Sequence, residues 1–209
     1  MAWAYRYSHT NNSGIRQTYG SAAFGLGLTF FGISTMAKTM VVLRTYKPFV
    51  DLLVTMSNPL LSITFSCIFT ALIQSSAASV GLIQVLASQD LITLKAAVCL
   101  VLGSNIGTGL TPLLPALNST REAGRVALAN LLFKLIGVAI TLPFLELFLL
   151  LIGQTSVDLG RQIANSHTAF NLIIALIVFP FSKQIANGII RLLPDQSGKP
   201  PIVHDDFNE

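Results

Sequence analysis

Residues 59–87 read PLLSITFSCIFTALIQSSAASVGLIQVLA, apolar at both ends with Gln74, Ser75 and Ser76 at the middle. The polar triplet leaves halves of about fourteen and eleven residues, and at about 1.5 Å rise per residue neither crosses a hydrocarbon core of about 30 Å. The stretch therefore reads as a re-entrant helical hairpin turning at Gln74, Ser75 and Ser76, with one tilted helix of about 29 residues as the alternative. An amide and two hydroxyls at such a tip supply neutral oxygens that ligate Na+ and donors that hold an oxyanion, without burying a formal charge. Freed carbonyls and helix N-terminal N–H groups add ligands of both kinds. Hydrogen bonding between helices is the plainer role for the same side chains.

Toward the C-terminus, residues 91–117 repeat the design: an apolar stretch through Leu102, then Gly103-Ser104-Asn105-Ile106-Gly107-Thr108-Gly109, then Thr111-Pro112 and Pro115. So many glycines and prolines predict a broken helix, which at membrane depth survives only against protein or a watery cavity. The amide of Asn105 and the hydroxyls of Ser104 and Thr108 lie between glycines, where backbone can approach an ion or oxyanion closely. No Gly-Lys-Ser/Thr ends the segment, so it is not a P-loop. Two interrupted apolar segments of this kind point to a midplane site of the type transporters build.

Further apolar runs flank the pair. Residues 21–43 form a first span, residues 126–152 a span kinked or ended near Pro143, and residues 163–190 a last span with His167, Thr168 and Asn171 near its start and Pro180 within it. The expected fold is an all-α integral membrane protein of about five membrane elements, including a re-entrant hairpin and a broken helix. A polar N-terminal segment (1–19), a membrane domain (20–192) and a solvated tail (193–209) make up the chain. Composition agrees: 52% of residues are hydrophobic and 11% charged, with mean hydropathy +0.67, against about 25% charged in soluble domains.

The same composition excludes other classes. Net charge is +4, but the basic residues are scattered at the ends of apolar runs, which suits head-group anchors and not a nucleic-acid patch. Cys67 and Cys99 sit in apolar runs without metal-ligand spacing and read as small hydrophobes. Of the histidines, His9 and His204 lie in the polar ends and only His167 could face a membrane site. Without an activated nucleophile an enzyme is not expected. The first nineteen residues lack a compact apolar h-region, so the first span is expected to serve as the membrane signal.

The segments Thr70-Ala71-Leu72-Ile73-Gln74-Ser75-Ser76-Ala77, Gly103-Ser104-Asn105-Ile106-Gly107-Thr108 and Gln162-Ile163-Ala164-Asn165-Ser166-His167-Thr168-Ala169-Phe170-Asn171 occur in that order. In this the chain resembles the sodium/phosphate cotransporter family, type II relatives, over about residues 24–181. The resemblance implies phosphate as substrate, Na+ as coupling ion and no further cofactor. It assigns substrate and ion contacts to Gln74, Ser75, Ser76, Asn105, Thr108 and Asn171, with Na+ on Gln74, Ser75 and Ser76. It also implies two inverted repeats, of which this chain resembles the second. A partner carrying the first repeat, or a second copy, is then expected in a multi-pass protein of the cell (inner) membrane. A non-transporting remnant or assembly subunit is the alternative.

Three positions depart from the family pattern: Ala77 in place of a third serine, Gly109 in place of a threonine, and Lys134 in place of an asparagine after Phe133. The first two remove hydroxyls, and the third adds a charge. Lys134 lies about eight residues into its span, roughly 12 Å deep. It is expected either to snorkel or pair with Glu146 or an acidic residue of a partner, or to stand as a fixed cation in place of one Na+ and so modify ion coupling.

Overall fold

Helix boundaries follow from a series of caps. In the computed structural model, which describes residues 2–194 and side chains from Ile15 onward, every regular element is helical. α1 spans Ala2–Leu43, α2 Lys47–Thr55, α3 Pro59–Ile73, α4 Ser76–Ser88, α5 Leu94–Leu110 and α6 Leu113–Ala116. α7 spans Arg121–Thr141, α8 Leu145–Gly153, α9 Leu159–Val178 and α10 Ser182–Leu192. The Asn58 side chain accepts from Leu60 and Leu61 N–H ahead of Pro59 and starts α3. Thr93, Thr120 and Asp158 do the same for α5, α7 and α9. Each satisfies an N–H that the first helical turn leaves without a partner.

Four helical stretches, Ile15–Leu43, Leu94–Ala116, Arg121–Gly153 and Leu159–Leu192, are long and apolar enough to cross a membrane. The pair α2–α3, bent by 114°, makes a fifth if counted as one element. The chain is thus an all-α, multi-pass membrane protein. Pro143 and Pro180 each sit in a short 3-10 turn, and the helix resumes beyond both. α1 is helical through Gly20, so the change from polar to apolar residues near position 20 is one of composition and not of backbone. Residues 195–209 of the expected tail lie outside the described residues.

α5 is the central post. It is buried on nearly all sides, from Ala96 to Asn105 without interruption. One apolar cluster joins Ile83 and Leu86 of α4 to Ala97 and Val101 of α5 and Ile163 of α9. The other joins Ile63 of α3 to Val98 and Leu102 of α5, Val138 of α7, Phe148 of α8 and Phe170 and Ile174 of α9. Cys99 is buried in the second cluster and is a free thiol, as is Cys67. α1 in contrast carries Phe24, Phe30 and Phe31 on open surface, which hydrocarbon solvates at no cost.

The structure corrects one expectation here. Gly103, Gly107 and Gly109 do not break a helix: α5 runs through all three to Leu110, and the interruption comes at Thr111 and Pro112. The glycines serve packing. A Cβ at Gly103 would stand 2.2 Å from the Ile63 carbonyl oxygen, and one at Gly107 would stand 2.6 Å from that of Cys67. Bare backbone on α5 lets α3 approach to contact, the usual use of small residues between membrane helices.

Candidate functional site

The chain turns back at the expected residues, making a helical hairpin of α3 and α4. α3 ends at Ile73, Gln74 takes a left-handed conformation (φ 59°), and Ser75 caps α4 by accepting from Ala78 N–H at 3.2 Å. Few side chains adopt that backbone region readily, so Gln74 is the turning residue of the tip. Behind it the two helices are clamped by buried hydroxyls. Thr70 Oγ1 donates to Ser79 Oγ at 2.8 Å, and Ser79 Oγ donates to the Ser75 carbonyl at 3.1 Å. Both side chains are closed to solvent, so each needs its partner. Replacing Thr70 with valine is expected to lower stability by about 1 kcal/mol, the usual net worth of a hydrogen bond. Thermal unfolding of the purified protein checks this, and an unchanged midpoint would show that the clamp is idle.

At the tip itself Gln74 is exposed, and Ser75 and Ser76 are half-buried. The Gln74 amide and the Ser76 hydroxyl make no hydrogen bond among the described residues, while the first turn of α4 lies directly behind them. The tip therefore presents an amide, a hydroxyl and helix N-terminal N–H groups together, a combination suited to an oxyanion.

A second polar group lies deeper. Asn105 on α5, 1% exposed, donates its amide N–H to the Val101 carbonyl at 3.0 Å. Asn171 on α9 donates to the His167 carbonyl at 2.7 Å. Each amide is thereby fixed by its own helix with its oxygen turned outward. Between the two oxygens lies the ammonium of Lys134 on α7, which donates to Asn105 Oδ1 at 3.2 Å and also to Asn171 Oδ1. The Phe133 ring centroid is 5.6 Å from the same nitrogen, within cation–π range.

The expected pairing of Lys134 with Glu146 is not what the chain adopts. Glu146 pairs with Lys95 at 2.5 Å, both of them exposed. The reason is geometric: twelve residues of helix separate Lys134 from Glu146, about 18 Å at 1.5 Å per residue. Snorkelling is also absent, because the half-buried ammonium ends on two amides inside the bundle.

Of the residues singled out from sequence, Asn105, Asn171 and Lys134 meet in one cluster, and Gln74, Ser75 and Ser76 form the tip. No hydrogen bond joins the two groups among the described residues. Thr108 is half-buried and donates its hydroxyl to the Asn105 carbonyl at 2.9 Å, which leaves its oxygen lone pairs free. The sequence reading passed over Thr70 and Ser79, whose signal was their nearly symmetric spacing about the Gln74-Ser75 turn. It also passed over Ser104 as a site residue, although its hydroxyl is the single buried side-chain polar atom without a partner among the described residues. Gly109 touches the cluster too: a Cβ there would stand 3.5 Å from Lys134 Cγ. Two of the three departures from the family pattern are thus neighbours in space.

With this geometry in view, the pattern of the family described as Na+/Pi-cotransporter matches residues 46–180, from the turn before α2 to the proline ahead of α10. The chain belongs to the Na+/Pi-cotransporter family. Its relatives include a Bacillus subtilis protein named "Uncharacterized protein YqeW", 32% identical over 84% of this chain and 57% of that protein. An Escherichia coli protein named "Putative inorganic phosphate export protein YjbB" is 29% identical over 85% of this chain and 33% of its own length. The human "Sodium-dependent phosphate transport protein 2B" is 31% identical over 62% of this chain and 20% of its own length. The chain therefore spans between about a fifth and somewhat over half of these Na+/Pi-cotransporter relatives. No solved structure matches it. The matched stretch of the family contains both the hairpin tip and the Lys134 cluster.

Proposed function

We propose that the chain is one wall of a sodium-coupled inorganic phosphate transporter of the cell (inner) membrane, completed by a first repeat on a partner or by a second copy. The observation that carries this reading is the tip of the α3–α4 hairpin. There an exposed Gln74 amide and a Ser76 hydroxyl stand at the start of α4 without hydrogen-bond partners among the described residues. Membership of the Na+/Pi-cotransporter family and the names of two relatives support phosphate as the substrate. Neutral oxygens of Gln74, Ser75 and Ser76 suit Na+, and the N–H groups behind them suit the anion. One tip offers half of a coordination shell, which is why a second wall belongs to the proposal.

Reconstituted liposomes and labelled phosphate test it. A Na+ gradient should drive uptake that a K+ gradient does not, with uptake per chain falling as the protein is diluted in lipid if two copies are required. Gln74→Gly, which keeps the bend and removes the amide, and Ser76→Ala should each lower uptake about tenfold, the effect of about 1.4 kcal/mol, with membrane abundance nearly unchanged. Equal loss of uptake and abundance in both variants would assign the tip to structure alone.

A further inference from the structure

We propose that the Lys134 ammonium is a tethered cation that fills a Na+-type cage made by the Asn105 and Asn171 amide oxygens and leaves one N–H for the transported oxyanion. The oxyanion part rests on the phosphate-transport reading, and the first experiment below does not.

An ammonium has three donors. Two end on Asn105 Oδ1 and Asn171 Oδ1, and the third has no hydrogen-bond partner among the described residues. The cage is built independently of the lysine, because each amide N–H is tied to a carbonyl of its own helix, Val101 on α5 and His167 on α9. Both oxygens would face the same point without Lys134, and neutral carbonyl oxygens are what a hard monovalent cation takes as ligands. Gly109 packs beside the lysine stem: a Cβ there would lie tightly against the Leu131 backbone, at 3.1 Å, and in ordinary contact with Lys134 Cγ, at 3.5 Å.

Charge completes the case. Amide oxygens lend partial charge only, so they orient the ammonium without neutralising it. No carboxylate pairs with Lys134 among the described residues, and Glu146 is engaged by Lys95. A half-buried cation in a membrane bundle calls for a counter-ion, and the chain leaves that role to an anion that comes and goes. A cation fixed by a covalent stem also needs no ion to bind before the anion does.

Equilibrium binding of labelled Na+ to the purified full chain in lipid nanodiscs, without phosphate, reads the cage directly. Lys134→Asn and Lys134→Met should each bind one more Na+ per chain than the unsubstituted protein, and adding Asn171→Ala to either should remove the gain. Equal Na+ counts in all of these proteins overturn the proposal. Asn171→Asp keeps the lysine and gives it a fixed counter-charge. It should weaken phosphate binding at low Na+ about tenfold, equivalent to about 1.4 kcal/mol, and unchanged phosphate binding in this variant also overturns the proposal. In liposomes the Na+ concentration for half-maximal phosphate uptake should rise about tenfold in Lys134→Asn. Expected Na+ counts without uptake in any protein would retire the transport reading and leave the occupied cage standing.

Discussion

Gly103→Ala is expected to destabilise the fold by about 3 kcal/mol or more, since it makes the shortest clash of any glycine among the described residues. The added Cβ would lie 2.2 Å from the Ile63 carbonyl oxygen and under 3 Å from two further Ile63 backbone atoms. No rotamer change relieves a collision with backbone, so α3 itself must move. That helix is anchored on one side by Ile63 in the second apolar cluster and on the other by the Thr70–Ser79 bond. Overpacking of a side-chain-lined core costs about 1–3 kcal/mol, and the rigid partner here puts the cost at or above the top of that range. Gly25→Ala is the control, since nothing lies within 4 Å of its Cβ and alanine favours helix by about 1 kcal/mol. Thermal unfolding and monodispersity in detergent report the outcome. A Gly103→Ala protein melting within about 3 °C of the parent, a shift worth about 1 kcal/mol or less, would refute the close-packing account of α5.

The second large effect concerns the ammonium. Asn105→Leu keeps side-chain volume but removes one of the two acceptors on Lys134, at an expected cost of about 1.5–3 kcal/mol for a hydrogen bond to a charged group. Lys134→Met removes the charge that needs the acceptor. The double variant should therefore be more stable than the sum of the singles predicts, by a coupling of about 1–3 kcal/mol. Interhelical bonds in a membrane bundle average about 0.6 kcal/mol, so a coupling above about 1 kcal/mol marks the charge and not ordinary helix-to-helix glue. Additivity within about 0.5 kcal/mol would show that Asn105 and Lys134 do not sense each other.

The parts of the fold that depend on local chemistry were legible before any coordinates. The Gln74-Ser75-Ser76 interruption stands between two apolar halves each too short to span a membrane, and the chain turns there. Pro143 sits in a short 3-10 turn where the α-helix is interrupted, because proline lacks a backbone donor. The glycines of 103–109 misled because two forces act on the same residue. Locally glycine weakens a helix by about 1 kcal/mol, whereas in the bundle it admits Ile63 and Cys67, some forty residues earlier in the chain. Nothing in a window of sequence displays that partner.

Lys134 illustrates the same limit for charge. Reading along the chain, Glu146 is the natural partner by sign, but helical rise carries it out of reach. The partners the lysine takes are neutral amides 29 and 37 residues away, which no rule of opposite charges selects. α2 went unread because nine residues are too few to span a membrane and none of them is buried. Its local signal was Pro48 in the first turn, a common opening for a helix.

The positive φ of Gln74 has a consequence for which amino acids that position tolerates. Bending the chain and offering an amide are two separate demands, and here a single residue meets both. Glycine would satisfy the bend and forfeit the amide, alanine would do neither well, and asparagine alone among common residues is at ease in the left-handed region while keeping a carboxamide. An asparagine, however, is shorter by one methylene and would draw its amide back toward the backbone. Reach, handedness and hydrogen-bonding capacity thus intersect at position 74 in a very small set of side chains.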